Sequence, residues 1–475
     1  QIPDRAGGLN GGLTAGGLPL SVEGLTTYPS ERLNEQQRED TQYVVATWLH
    51  ATDRLTTQLS VFGRYSTLTY SPDGLGDLLY DGLAQAARKT DTAAGLQAEG
   101  VYHLGEAHTL RGGLLVEVDR ATSATTSQVM LLNAGDGSQL GPAPYRPFAI
   151  VDNGSRTAET YSAYLQDEWS LAAGLTLNYG LRFDQFDGFR NENQLSPRIN
   201  LVWKATGATT VHLGYSRYFT PPSFELVASQ SVGRFIAPTG DPAVTSTAAP
   251  PNGKDTTPYA ERADYFDVGV SQKVSSALSL GIDTYYKTSK NLIDEGQFGA
   301  PIILTPFNYA QGLQYGVELT ASYDRGPFDA YANFAYGKAQ GRDIVTSQFN
   351  FSPADLAYIA THDIYLDHDQ TFSVSAGAAY LWRGTRFGGD IIYGSGLRAA
   401  AGAIPNGREL PGYVQVNLSL SHRFERTPTG PLVARLDVIN LFDKVYEIRD
   451  GTGVGVGAPQ YGPRRGVFGG ITKEF

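Results

Sequence analysis

The stretch Tyr161-Ser162-Ala163-Tyr164-Leu165-Gln166-Asp167-Glu168-Trp169-Ser170-Leu171 reads with a period of two. One face carries Tyr161, Ala163, Leu165, Asp167, Trp169 and Leu171; the other carries Ser162, Tyr164, Gln166, Glu168 and Ser170. Successive side chains of an extended chain point to opposite faces, so the pattern predicts a strand with apolar surroundings on one side only. After a short turn, Leu175, Leu177, Tyr179, Leu181 and Phe183 oppose Thr176, Asn178, Gly180, Arg182 and Asp184. The alternation returns at Leu313–Tyr323 and at Val414–Ser421.

Working outward from this pair, about seventeen strands are legible. They lie near 36–50, 54–68, 89–104, 107–120, 157–171, 175–187, 194–205, 209–219, 264–274, 278–289, 313–323, 328–338, 371–382, 385–397, 413–424, 432–445 and 464–475. Their connections alternate between short and long. Ala51–Asp53, Ala172–Gly174, Thr206–Ala208, Ser275–Ala277 and Asp324–Pro327 are short, whereas Thr69–Arg88, Ala121–Arg156, Thr220–Ala263, Asn291–Gly312 and Ala339–Gln370 are long. A soluble sandwich has no reason to sort loop lengths onto two rims. A transmembrane barrel does, with short turns on one side of the membrane and long loops on the other. The polar face is also too polar to fill a dry core, whereas a closed barrel in lipid puts apolar residues outward and polar ones in the lumen. Tyr43, Trp48, Trp169, Trp203, Tyr215, Tyr218 and Trp382, near strand ends, suit aromatic girdles.

Composition agrees. The chain of 475 residues has 55 Gly and 28 Tyr, and only 18% of its residues are charged. A net charge of −11 lacks the basic footprint of a nucleic-acid binder. The absence of Cys excludes disulfides, thiolate metal sites and a Cys nucleophile. No apolar run is long enough for a transmembrane helix. The fold class is therefore all-β, a transmembrane antiparallel β-barrel.

Several segments resemble TonB-dependent outer-membrane receptors. The most specific is Ile439-Asn440-Leu441-Phe442-Asp443-Lys444-Val445-Tyr446, followed by Gly462-Pro463-Arg464-Arg465 and a closing strand ending in Phe475. Tyr164–Trp169, Leu195–Leu201, Tyr215–Pro222 and Asp367–Gln370 agree in order and spacing. The resemblance implies a barrel of about twenty-two strands around a plug. On that count residues 36–475 supply the C-terminal strands. Residues 1–35 are a remnant of an extracellular loop, and the plug, with the segment that TonB grips, is missing. It further implies bacterial outer-membrane localisation among lipid and lipopolysaccharide. The implied partners are the TonB complex through that missing region and the barrel-assembly machinery through the strand ending at Phe475. A monomer without cofactor is expected.

The implied function is energy-coupled uptake of a scarce substrate such as a ferric siderophore, another metal chelate, cobalamin or a glycan. A plugless diffusion porin is the alternative, and an outer-membrane hydrolase is a third reading. For the hydrolase, His362-Asp363 and Asp367-His368-Asp369 supply His–carboxylate chemistry. Adjacent residues of a strand diverge, however, and the second cluster is expected as an exposed rim motif. No catalytic residue, metal ligand or nucleic-acid partner is assigned. Gly451–Gly457 lacks the Lys and the helix of a phosphate loop and reads as a surface loop. Ligand-binding candidates are Tyr145, Arg146, Phe148, Tyr218, Phe219, Arg234 and Phe235, which can stack on or clamp an anionic aromatic chelate. Lumen or plug-facing candidates are Glu168, Arg182, Asp184, Glu318, Arg435 and Asp437.

Overall fold

The computed structural model describes residues 20–141, 143–224, 232–254, 257–297, 304–348, 350–428, 430–451 and 459–473. Its long strands are β1 (Gln36–Ala51), β2 (Leu55–Ser71), β3 (Leu83–Leu104), β4 (His108–Val129), β5 (Phe148–Ala172) and β6 (Leu175–Asp187). Then come β7 (Asn191–Lys204), β8 (Thr209–Thr220), β9 (Glu261–Lys273), β10 (Leu278–Gln297), β11 (Leu304–Arg325) and β12 (Phe328–Ile344). The last are β13 (Phe372–Trp382), β14 (Thr385–Gly394), β15 (Tyr413–Phe424), β16 (Leu432–Ile439) and β17 (Gly466–Lys473). Each pairs antiparallel with the next, and the short strand Ile364–Tyr365 adds to the upper part of β12. The seventeen expected strands are thus present and in order. Among the described residues no pairing joins β17 to β1, so the sheet has two free edges, and every residue of β1 is exposed.

The turns between β1 and β2, β3 and β4, and so on along one rim run from the two residues 173–174 to the seven of 425–431. At 383–384 both Arg383 and Gly384 have positive φ, 48° and 79°, the backbone of a tight hairpin whose twist matches the strands. The opposite rim carries the connections 72–82, 130–147, 221–260, 345–371, 395–412 and 440–465. The sorting has two exceptions on the long rim, 188–190 with three residues and 298–303 with six, against the seven of 425–431 on the other rim.

The strands run further towards the long rim than alternation indicates. The expected loop 121–156 is largely strand, since β4 reaches Val129 and β5 begins at Phe148. The expected loop 291–312 is likewise mostly β10 and β11. A membrane needs only about 10 tilted residues per strand. Above the bilayer neither face is held against lipid, so Ala121-Thr122-Ser123-Ala124-Thr125-Thr126-Ser127 keeps β-prone residues without apolar alternation. In the other direction β16 stops at Ile439, because Asn440 and Asp443 take positive φ of 50° and 52°.

Apolar packing concentrates in small clusters at the long-loop rim. Leu20, Val22, Leu78, Leu79, Ala84 and Met130 form one, Tyr70, Leu83, Val129, Ile150 and Phe235 another, and Leu292, Phe307, Tyr309, Ile344 and Ile359 a third. Of the segment 1–35, residues 1–19 lie outside the described residues, as do Phe475 and most of Gly451–Gly457; Leu20 and Val22 are buried on the rim.

Candidate functional site: the polar wall and the long-loop rim

The two faces of the sheet differ as the alternation predicts. On the apolar face Leu165, Leu181 and Ile199 are exposed at 63%, 46% and 51%, a surface that only lipid makes stable at this extent. Asp167 breaks the run, and its carboxylate is covered by His108 (Nδ1, 2.7 Å) and the Tyr179 hydroxyl (3.2 Å).

The opposite face is a wall of paired charges. Glu168 accepts from Arg111 at 2.9 Å, and Asp184 accepts from Arg182 and from Ser162 (2.8 and 2.6 Å). Arg435 meets Asp437 at 2.7 Å, while Glu318 is exposed near Tyr265 and Tyr285. Arg64 pairs with Asp91, and His212 bridges Asp267 and Asp283. Such half-exposed pairs add little stability, about 0–1 kcal/mol each; their effect is a hydrated, nearly neutral wall. All six lumen candidates fall on this face, and so do two aromatics expected in the girdles. Tyr43 lies opposite Arg64, and Tyr218 stands edge-on to Tyr265 with ring centroids 6.0 Å apart.

The ligand-binding candidates divide. Phe235 is 1% exposed inside the Tyr70–Ile150 cluster, Phe148 packs against that cluster, and Tyr145 packs against the Leu20–Met130 cluster. These three rings are committed to folding loops onto strand ends. Arg234 is exposed and donates to the Val151 carbonyl, and Arg146 is exposed. Phe219 lies under the Arg262 guanidinium at 5.3 Å. Tyr218 alone among the aromatics of the set is open to the lumen.

The rim also holds polar assemblies that their spacing in sequence does not signal. Arg190 lies 3.6 Å over the Tyr259 ring. Arg398, 3.7 Å over the Tyr365 ring, pairs with Asp369 at 2.7 Å and Glu409 at 3.1 Å. Asp367 and Asp369 are therefore not an exposed motif: they are 5% and 4% exposed, because loop guanidiniums and the Ala339 amide enclose them. Asp294, Asp367 and His368 bring one ligand atom each within 4.8 Å of one another. Arg449 already occupies part of this group, donating to Asp367 Oδ2 at 2.8 Å and to His368 Nε2. Burial pushes the Asp294 carboxyl up to about 7. Burial would also raise Asp367, but hydrogen bonds from His368 and Arg449 outweigh it and hold that carboxyl below its ordinary range. His362 stacks on Tyr358 at 4.2 Å just after the helix Pro353–Ile359, with its Nδ1 3.1 Å from the Tyr358 carbonyl oxygen.

The C-terminal signature has a physical basis. Asn440, 1% exposed, donates to the Lys444 and Pro463 carbonyls and accepts from the Lys444 amide, each at 2.9 Å. Its own amide donates to Asn417 Oδ1. One side chain thereby ties the end of β16 to the segment that leads into β17.

An antiparallel sheet with a lipid-facing surface, a hydrated inner wall and one loop-rich rim defines a transmembrane β-barrel. The family model for the TonB dependent receptor-like β-barrel matches residues 3–441, and the chain belongs to that family. It is thereby a protein of the Gram-negative outer membrane. No curated protein matches the sequence. In fold, the ferric yersiniabactin uptake receptor FyuA from Yersinia pestis is similar with a TM-score of 0.65 at 15% identity, over 95% of this chain and 63% of that one. The ferric citrate transporter FecA is similar with a TM-score of 0.61 at 13% identity, over 91% and 61%. The copper transporter OprC is similar with a TM-score of 0.63 at 15% identity, over 92% and 65%. The chain spans less than two thirds of the length of each of these structures.

Proposed function

We propose that this chain is the wall of a transporter that takes up a scarce substrate through the outer membrane with energy supplied by TonB. The substrate class is a metal chelate, a ferric siderophore first. The observation that carries the reading is the hydrated wall of paired charges beneath a rim of long, internally packed loops, in a chain of this receptor family. Proteins of the same fold handle ferric yersiniabactin, ferric citrate and copper. The wall has no cluster arranged for covalent chemistry among the described residues, so its work is to enclose a path and present Tyr218 and Arg146 to a ligand.

The free edges of β1 and β17 belong to the same proposal. An unpaired strand edge in hydrocarbon costs several kcal/mol for each orphaned backbone group, so further strands of the whole protein close the wall. A plug would then fill the lumen, and TonB would act on it. The test is uptake of labelled ferric siderophores by cells carrying the full-length protein, with and without TonB. TonB-dependent uptake supports the reading, whereas equal uptake without TonB would move the protein to a diffusion pore. Failure with every metal chelate would move the substrate to cobalamin or a glycan.

A further inference from the structure

The lipid-facing side of β5 carries one residue that hydrocarbon should exclude. Tyr161, Ala163, Leu165, Trp169 and Leu171 are apolar or interfacial, and Asp167 stands among them. The run from Tyr161 to Leu171 is about the length a tilted strand needs to cross the hydrocarbon, so Asp167 lies inside the span, one outward-facing position above Trp169. An ionisable side chain at that depth is a functional candidate whose partners have to explain it. Two protein donors reach Asp167, and both reach the same oxygen. His108 Nδ1 lies 2.7 Å and the Tyr179 hydroxyl 3.2 Å from Oδ2. Oδ1 is buried and has no hydrogen-bond partner among the described residues, although the residue as a whole is only 6% exposed. His108 is itself stacked on Trp169, with ring centroids 5.3 Å apart.

Above this carboxylate the outer wall is grooved. In register across β4 to β7, Leu110, Asp167, Tyr179 and Ile199 form one row, Gly112, Leu165, Leu181 and Pro197 the next, and Leu114, Ala163, Phe183 and Leu195 the third. Ala163 and Pro197 leave hollows between the larger side chains, and a cleft of about 760 Å³ opens over these rows. From Tyr179 to Phe183 it rises roughly 13 Å, the length of a stretch of acyl chain. On the lipid-facing side its polar residues, Asp167 and Tyr179, share the lowest row, and the two rows above are apolar. A lipid with its head down and its chain up belongs to the leaflet on the short-turn side, which is periplasmic in barrels of this kind. A lipid of the opposite leaflet would bring its head to Leu114, Phe183 and Leu195, where there is nothing polar to meet it.

We propose that this cleft holds one phospholipid of the periplasmic leaflet whose headgroup ends in a primary ammonium. The ammonium sits on Asp167 Oδ1, and one acyl chain lies along Leu165, Ala163 and Phe183. A carboxylate oxygen repels a phosphate and accepts from N–H donors, of which a primary ammonium offers three. Asp167 is roughly 7 Å along the strand from Trp169, a distance that an ammonium hanging from a phosphate at girdle height can cover. The carboxylate is thus kept in the wall for a ligand, where a leucine would serve the wall alone.

The full-length protein and its Asp167→Asn, Asp167→Leu and Ala163→Phe variants are first checked for outer-membrane localisation and heat-resistant folding. Each is then equilibrated in phosphatidylglycerol nanodiscs doped with phosphatidylethanolamine or with phosphatidylcholine of the same acyl chains, and retained lipid is counted by native mass spectrometry. The native protein should retain one phosphatidylethanolamine and about tenfold less phosphatidylcholine, whose quaternary nitrogen has no N–H to donate. Asp167→Asn and Asp167→Leu should fold as the native protein does and retain about tenfold less of the ethanolamine lipid, the loss of one charge-assisted hydrogen bond. Ala163→Phe, which fills the groove and keeps the carboxylate, should also lower retention severalfold. Equal retention by folded Asp167→Asn, or equal retention of the two lipids by the native protein, overturns the proposal in favour of ordinary annular lipid. Loss of the heat-resistant fold in both Asp167 variants overturns it in favour of a purely structural carboxylate. Absence of the native protein from the outer membrane would overturn the membrane reading and the proposal with it, and localisation reports that before any lipid is counted.

Discussion

His212 on β8 and Asp283 on β10 meet across an intervening strand, Nε2 to Oδ1 at 3.1 Å. Both lie in register with Gly269 of β9, where a Cβ would stand 2.0 Å from Asp283 Oδ1 and 2.2 Å from His212 Cε1. The glycine is what allows a contact that skips a strand. Gly269→Ala is therefore expected to separate the pair while the strand pairing survives, because the atoms that must yield are the ends of two side chains. The cost should be about 1 kcal/mol or less, read as a small fall in the temperature at which the folded barrel loses its gel mobility. Gly269→Leu is expected to reduce the folded yield severalfold. A fully native Gly269→Leu barrel would show that the close approach across Gly269 is not required.

Arg464 donates to both oxygens of Asp443, and the Arg465 amide donates to one of them. These bonds hold the Asp443 carboxyl far below the usual carboxylate range. A carboxyl depressed in the folded state stabilises at every pH above its unfolded value of about 4, and the stabilisation is lost as pH falls through the lower folded value. The segments 440–446 and 461–465, which this pair ties together, should thus keep their protease resistance down to about pH 4 and lose it only in stronger acid. In Asp443→Asn the charge is gone, so cleavage there should become independent of pH below neutrality. Loss of protection in the native protein already near pH 6 would assign the loop's anchoring to another group.

Phe235 was a candidate for ligand stacking, and its burial leads to a different expectation. Truncating a buried Phe costs about 3–5 kcal/mol. Here Phe235 comes from a loop and packs on Tyr70, Leu83, Val129 and Ile150, whose strands are already held by the main sheet pairing, so the cluster fastens the loop to strand ends. Phe235→Ala should free the segment around 232–248 to proteolysis while β1 to β17 remain heat-resistant. Tyr218→Ala, with its ring open to the lumen, should leave the protease pattern unchanged. If Phe235→Ala weakened ligand binding without altering loop proteolysis, the ring would belong to the binding surface after all.

Where one face meets lipid and the other meets water, the sequence is constrained residue by residue, and Tyr161–Leu171 and Leu175–Phe183 could be read as strands directly. Above the membrane that constraint ends, so the extension of β4 through Thr122-Ser123-Ala124-Thr125 leaves no periodic trace. Asn440 was legible as part of a signature, but its work depends on Pro463 and Asn417, each 23 residues away. Arg398 and Arg449 reach Asp369 and Asp367 across 29 and 82 residues. Nothing local in Asp367-His368-Asp369 distinguishes carboxylates that will be enclosed by such partners from carboxylates left in water.

Asp294 supplies the last expectation, and its sign is opposite to that of Asp443. Its carboxyl is raised by burial to about 7, with Asp367 adding repulsion, while the Glu295 amide is its hydrogen-bond donor at 2.9 Å. Between an unfolded value near 4 and the folded value of about 7, folding takes up a proton at this position. Its contribution therefore falls as pH rises through that window and is constant above it. The packing of the ends of β10 and β11 against the 363–371 segment should be tighter at pH 5 than at pH 8, which amide exchange in Leu292–Glu295 and Leu366–Asp369 would register as slower exchange after correction for intrinsic rates. Asp294→Asn removes the charge and keeps the shape, so it should raise protection at pH 8 by on the order of 1–2 kcal/mol and abolish the difference between the two pH values. Unchanged protection in the variant at pH 8 would mean that Asp294 is ionised at little cost, with Arg449 or His368 moving to meet it.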